Sequence, residues 1–510
     1  MDTVTTGPTS ASLLIGAIRR HGARTALVVG EQTLTYADLD GLSDRLAGYL
    51  SRQGLGRGAR IALHLRNSAE YVVAELAILK LAAVRIPLNE LMSRPELAYC
   101  LQHAGAQVLI AHAGLPQPEV INNAPAVLRV SVPDDMPARP GEIAWNEVIS
   151  AAPLEALIVA APDDTAILAY TGGTTGHPKG VRHVYGRMAI NLLAHVVCGD
   201  VRSDEVMLLT TPLPHSAGYH MAACLLQGGV TVLQPRFEAA GFLDACARYR
   251  ATWTFAVPTM LYRLLDAIGE DAPDAPDVSS LRTVVYGAAP MSRPRLEEAL
   301  SKLGPVFLQI YGQTECPNFI TSLSKDDHLN PVLLASCGRA VPFVEVRTAP
   351  SAEAPVGEVE VRSPYLLREY FKDADATAAA VDDGWLRTGD LGYLDNGYLF
   401  LVDRAKDMII TGGMNVYSSE VETALRQHEA VREVAVIGLP DADWGEAVTA
   451  VVVLEGETSS AALRVFAKNL LSAYKVPKTI VFADDLPLTT YGKVDKKRLR
   501  QELTDAGPRS

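Results

Sequence analysis

The chain has 510 residues, 48% hydrophobic and 21% charged, the balance of a folded globular protein and not of a disordered one. That length predicts two to four packed units at roughly 100–200 residues each. A net charge of −13 excludes a broad basic surface for nucleic acid and argues against a seat on anionic lipid, while leaving room for phosphate in a local pocket.

In chain order, helical and strand patterns alternate over most of the length, which predicts an α/β fold. The N-terminus holds one short apolar run, Leu13 to Ile18, with Arg19 and Arg20 behind it; a secretory signal would put the charge first. Residues 59–65, 106–111, 165–170, 206–210, 230–234 and 283–286 read as short buried strands, and 68–83 as a helix. The longest apolar stretch, 71–86, carries Glu75, Lys80 and Arg85, so it falls short of the ~18 uncharged residues of a membrane span. Segments 270–277 and 348–357 read as surface loops.

Strands at 358–363 and 397–402 precede a charged break at 403–407. Beyond it come a helix at 419–428, strands at 433–439 and 449–454, a helix at 461–471 and a strand at 479–482. The expectation is a large N-terminal α/β domain of several subdomains, 1–404, and a small α+β C-terminal domain, 405–510. Six cysteines, Cys100, Cys198, Cys224, Cys246, Cys316 and Cys337, show no CxxC spacing. They suggest neither a zinc site nor a disulfide framework and fit a reducing, cytoplasmic setting.

Four segments carry chemistry. The first follows the 165–170 strand: Thr171, Gly172, Gly173, Thr174, Thr175, Gly176, His177, Pro178, Lys179 and Gly180. Glycines let backbone N–H groups turn to an anion, hydroxyls add donors and Lys179 adds charge, but Gly180 and Pro178 distinguish it from a Walker A loop. The second pairs Gly287, Ala288, Ala289 and Pro290 with Tyr311, Gly312, Gln313, Thr314 and Glu315, each after a strand. Small residues there let a planar base lie on the backbone, Tyr311 offers a ring, and Glu315 a hard oxygen for Mg²⁺. The third ends in Thr388, Gly389 and Asp390, a carboxylate able to accept from two ribose hydroxyls. The fourth places Lys493 beside Gly492 on a loop, able to neutralise charge in a transition state. Alone, each has an ordinary reading as a turn or a solvated basic tail; together and in this order they do not.

In this order the segments resemble the ordered motifs of the adenylate-forming superfamily, which holds acyl-CoA synthetases, peptide-synthetase adenylation domains and beetle luciferases. The resemblance runs from Leu34-Thr35-Tyr36 to Lys493. It implies that a carboxylate attacks the α-phosphorus of ATP, releasing pyrophosphate, and that a thiol then displaces AMP from the acyl-adenylate. By the same resemblance Thr171 to Lys179 cradles the β- and γ-phosphates, Thr314 bonds the α-phosphate and Glu315 holds Mg²⁺. Gly287 to Pro290, Tyr311 and Gly312 bracket the adenine, Asp390 and Arg404 hold the ribose, and Lys493 bridges carboxylate and α-phosphate. The small domain turns about a hinge at Lys406, bringing Gly412 and Gly413 to line the pantetheine tunnel. The segment 412–422 and the run 211–219, with His215 as a gate, look like the acyl-CoA synthetase branch. Ala82 stands where glycine is usual, read here as a helix-packing choice.

The implied substrates are ATP with Mg²⁺, CoA and a hydrophobic carboxylic acid, aromatic, alicyclic or medium-chain. The acyl pocket is expected to be lined by mostly small or apolar residues, Ala217, Ala288, Ala289, Cys316, Pro317 and Phe319 among them, with no acidic residue to fix an ammonium. Three alternatives stay open: delivery to a carrier protein, retention of the thioester step alone, and a silent binding protein on this fold.

Overall fold

Residues 7–117, 128–133, 136, 138–171, 178–268, 276–351, 354–412, 414–441, 443–489 and 494–505 are described by a computed structural model. They fall into two units, Met1–Glu345 with Arg362–Gly384, and Val346–Val361 with Trp385–Ser510.

In the first unit the short apolar runs become strands of two mainly parallel sheets, as buried β–α–β stretches should. One sheet runs Glu369–Tyr370, Lys179–Val184, Thr165–Thr171, Val84–Pro87, Arg60–His64, Val108–His112, Leu128–Val132 and Ile143–Ala144. In the other, Trp253–Ala256, Thr283–Gly287 and Phe307–Gln313 lie side by side and parallel, so their carboxyl ends gather at one edge. Cys316–Leu323 then returns antiparallel to Phe307–Gln313. Carboxyl ends of parallel strands are where such sheets present ligand sites.

The apolar stretch that carries three charges spans the helix Ala69–Lys80, capped by Ser68, whose side chain accepts from the Tyr71 N–H, and the strand Val84–Pro87, which holds Arg85. It is buried on nearly every side, and its charges are paired inside: Glu75 with Arg85, and Lys80 with Asp44 at 2.7 Å. Among the described residues no helix is long and apolar enough to cross a membrane. Two readings are corrected. Ala82 is a backbone matter, not helix packing: it sits in the left-handed region at φ 49, in the turn that leaves the helix. Residues 348–351 and 354–357 are not a plain loop but fall within the strands Glu345–Ser351 and Ala354–Arg362. The first is the edge of its sheet, where proline is tolerated because one row of N–H groups needs no partner. Most of the loop expected at 270–277 lies outside the described residues.

In the second unit Ala354–Arg362, Trp385–Asp395 and Tyr398–Arg404 pair antiparallel. This hairpin groups with the chain that follows it, so the units divide before residue 404. The remainder builds a sheet from Met414–Val416, Ile409–Thr411, Gly445–Leu454 and Val431–Asp441, with Thr479–Phe482 parallel to Gly445–Leu454. Period-two alternation gives it two buried faces. Val434 and Val436 pack with Val421, Leu425 and Leu463 of the helices Ser418–Leu425 and Ser460–Leu470. Ala435 and Ile437 pack with Leu499 of Lys496–Asp505.

Candidate active site

Thr165–Thr171 and Lys179–Val184 form a hairpin in which Thr171 pairs directly with Lys179. The loop between them is therefore held at both roots. Gly172, Gly173, Thr174, Thr175 and Gly176 lie outside the described residues. Lys179 Nζ stands 5.1 Å from the centroid of the Tyr370 ring. The Tyr370 hydroxyl donates to Glu315 Oε1 at 2.7 Å. Thr314 and Glu315 are the two turn residues between strands whose flanking pair is Gln313 with Cys316. The Thr314 carbonyl accepts from His183 Nε2 at 2.8 Å, and the Glu315 carbonyl from the Leu367 N–H at 2.7 Å. Burial pushes the His183 imidazole down to about 4, so it is neutral and its proton sits on Nε2.

Beside this turn, Gly287 ends its strand so close to the next that a Cβ would lie 2.5 Å from the Ile310 carbonyl oxygen. Ala288 follows at φ 67, and Ala288, Ala289 and Pro290 are exposed, an open small-residue edge past the strand end. Tyr311 is buried on the neighbouring strand. Gly312 lies against Asn318, itself at φ 63. The Asn318 side chain accepts from Ser216 Oγ at 2.8 Å and donates to His195 Nε2 at 2.9 Å. His195 Nδ1 donates to the Asn191 carbonyl at 2.8 Å. His220 Nε2 is 3.4 Å from the same amide nitrogen of Asn318. Burial lowers both histidines, His195 to about 4. A buried polar cluster thus runs beside the mostly small or apolar lining expected around residues 312–319. No spacing in the sequence links 195, 216, 220 and 318.

His215 lies in Leu213–Ala217, a single π-type turn in which its own backbone is non-helical at φ −113, ψ −148. Such turns recur at functional sites. Asn89 Oδ1 accepts from the Leu91 N–H, which fixes the amide, and Asn89 Nδ2 then donates to His215 Nε2 at 2.8 Å. Asn89 has no motif to announce it.

The remaining expected residues belong to the second unit. Asp390 and Arg404 are cross-strand partners with Nε to Oδ1 at 3.1 Å, the aspartate buried and the arginine half-exposed. Burial, then the Arg404 charge, pushes the Lys406 ammonium below its ordinary value. Gly412 is at φ 57, and a Cβ there would come 2.8 Å from the Trp444 ring. Gly413 and Lys493 lie outside the described residues. Three residues beyond Lys493, Lys496 Nζ bonds Glu422 and Ser418 Oγ, each at 2.7 Å. Asp403 accepts from the Ser418 N–H and hydroxyl at the start of the same helix.

The donor set fits a magnesium triphosphate. Glu315 presents an oriented hard carboxylate at the Tyr370 hydroxyl, and Lys179 a cation over the same ring. Among the described residues no group of three or more His, Cys, Asp or Glu side chains is assembled around a metal position. A cation at Glu315 would thus draw its other ligands from phosphate and water, the usual arrangement for Mg²⁺.

Residues 16–371 match the AMP-binding enzyme family and residues 420–493 the AMP-binding enzyme C-terminal domain. The medium/long-chain-fatty-acid–CoA ligase FadD8 of Mycobacterium tuberculosis is 36% identical over 98% of this chain and 90% of its own length. Among solved structures, o-succinylbenzoate CoA synthetase (MenE) from Bacillus subtilis, in complex with the acyl-adenylate OSB-AMP, superposes with a TM-score of 0.85 at 31% identity. That match covers 97% of this chain and 98% of the other. The amide bond synthetase McbA from Marinactinospora thermotolerans gives 0.84 at 32%, covering 97% and 100%.

Proposed function

The chain belongs to the family of AMP-binding enzymes, and on that premise we propose that it is an ATP-dependent, AMP-forming acyl-CoA ligase acting on a hydrophobic carboxylic acid. The observation that carries the reading is the Thr314–Glu315 turn, with its carboxylate held by Tyr370 beside the Lys179 ammonium. A carboxylate is already ionised at neutral pH, so the first step needs charge neutralisation and alignment more than a stronger nucleophile.

Lys179 and the 171–176 hydroxyls and amides hold the outer phosphates, and the Thr314 side chain meets the α-phosphate. Mg²⁺ at Glu315 supplies neutralisation of phosphate charge as pyrophosphate departs. Gly287, Ala288, Ala289, Pro290, Tyr311 and Gly312 seat the adenine, and Asp390 with Arg404 the ribose. The acid's oxygen forms its bond to the α-phosphorus as the bond to pyrophosphate breaks, with Lys493 neutralising the transferring group. In the second step the CoA sulfur bonds the acyl carbon, the thiol proton is lost and AMP leaves with the bonding pair. The 405–510 segment carries Lys493 as well as Gly412 and Gly413, so the two steps call on different faces of one small domain hinged at Lys406. His215 gates the passage of thiol to acyl group. We place the protein in a reducing cytoplasm, in keeping with six free cysteines.

The test is mass spectrometry with ATP, Mg²⁺ and a panel of fatty, aryl and alicyclic acids, without and with CoA. Acyl-adenylate that turns into acyl-CoA on adding CoA supports the reading. Transfer only to a holo-carrier protein replaces the acceptor, and conversion of synthetic acyl-adenylates alone leaves only the thioester step. Silence in every arm, with ATP still bound, favours a binding protein.

A further inference from the structure

Thr314 and Glu315 are just the two residues of a hairpin turn, and their own strands do not decide where the turn stands relative to Lys179. Two side chains from outside the hairpin do. Tyr370 bonds the Glu315 carboxylate at 2.7 Å, and His183 bonds the Thr314 carbonyl at 2.8 Å. His183 comes from a strand that frames the phosphate loop, and Tyr370 from the short strand paired with it. His183 lies on Lys179–Val184, and Tyr370 pairs with Val181 of the same strand. That pairing is locked in register by Arg182 Nη1 to Glu369 Oε1 at 2.7 Å, and by the Phe371 N–H donating to the Gly180 carbonyl at 2.7 Å.

We propose that Tyr370 and His183 are positioning residues for adenylation, bracing the Thr314–Glu315 turn against the strand that carries Lys179 so that carboxylate and ammonium keep one spacing. The proposal rests on the reading of Lys179, Thr314 and Glu315 as the magnesium and phosphate site. A phenol hydrogen-bonded to a carboxylate is charge-assisted and directional, and it fixes one carboxylate rotamer. The Lys179 ammonium over the same ring adds a cation–π contact, so one side chain meets both charges. At His183 the signal is different. Its Nδ1 is buried with no partner among the described residues. An imidazole with one orphaned nitrogen costs stability that a leucine of similar volume would not. What that cost secures is the Nε2 bond to the turn.

The experiment is equilibrium titration of ATP, without and with Mg²⁺, together with thermal unfolding, on wild type, Tyr370→Phe, His183→Leu, His183→Gln and the reference Glu315→Gln. Tyr370→Phe and His183→Leu are each expected to weaken the Mg²⁺-dependent gain in ATP affinity about tenfold, with no loss of unfolding temperature. His183→Gln, whose amide N–H reaches the same carbonyl, is expected to recover most of it. Wild-type binding in Tyr370→Phe and His183→Leu, with Glu315→Gln impaired, overturns the proposal. So does lost binding accompanied by lower unfolding temperature in both, since that is general disruption. If Glu315→Gln itself binds as wild type, the underlying site assignment fails instead. Tyr370→Phe removes a single oxygen, so the test stands even where a His183 variant does not fold.

Discussion

Gly312→Ala tests the close approach at the edge of the proposed nucleotide and acyl pockets. A Cβ at Gly312 would stand 2.7 Å from N, Cα and C of Asn318, and the gap must open to the 3.4 Å at which ordinary contact begins. All three atoms are backbone, so no side chain can rotate away to absorb the change. Overpacking of this kind costs about 1–3 kcal/mol. The strain has a defined path, because the Asn318 side chain holds Ser216 Oγ at 2.8 Å and His195 Nε2 at 2.9 Å. A shift of Asn318 therefore moves Ser216, next to Ala217 of the proposed acyl pocket, and misplacement on the order of an ångström costs up to about a hundredfold in rate. The assay is urea unfolding alongside kcat/KM for the acid that serves as substrate. Gly41→Ala is the control. It lies on an exposed helix face with nothing within 4 Å of an added Cβ, and it should gain about 0.5–1 kcal/mol. A Gly312→Ala protein that unfolds at the wild-type urea concentration and keeps its kcat/KM would refute the reasoning.

Arg85→Met removes the partner of buried Glu75 and should cost about 3–5 kcal/mol in urea unfolding, while Arg85→Met with Glu75→Leu should recover most of it. Equal losses in single and double variants would sink that account. Because burial raises the Glu75 carboxyl, ionising it is costly, so the single variant should lose stability as pH rises above the ordinary carboxylate range. The buried histidines have the opposite sign. His64, His183 and His195 are held at about 4 against an ordinary 6.5, so the unfolded chain takes protons first. Their stability contribution is complete above pH 6.5 and is lost as pH falls towards 4, by up to about 3 kcal/mol per histidine. His195→Gln should flatten the slope of unfolding free energy over that interval, and an unchanged slope would argue against a neutral buried ring. Asp390→Ala frees Arg404 and should weaken ATP binding about tenfold in titration calorimetry, whereas unchanged affinity would remove Asp390 from the ribose role.

What could be read from the sequence and what could not divide along a physical line. Apolar runs such as 165–170 and 283–286 announce strands because burial on both faces demands a continuous run, and each found its strand within a residue. The helices and strands from Ser418 to Phe482 were legible for a similar reason, since their apolar residues repeat at the period of the element they build. The Thr314–Glu315 turn stood out in the sequence as the proposed phosphate and cation site because few residue types do what those ligands require. Its supports did not. Tyr370 lies 55 positions from Glu315, and His183 lies 131 from Thr314. A tyrosine in a charged stretch and a histidine in a strand are ordinary residues until the fold shows what they face. The same holds for Glu75 with Arg85, which looked like charges interrupting an apolar run and are a pair inside it. Ala82 and the strand Glu345–Ser351 escaped because backbone conformation and an edge position leave little trace in composition. Motif residues touch the substrate and so are limited to a few types, whereas a brace needs just one donor at the right place. Where one donor type can replace another, as His183→Gln is expected to show, the supporting side chain is read from geometry and not from the motif.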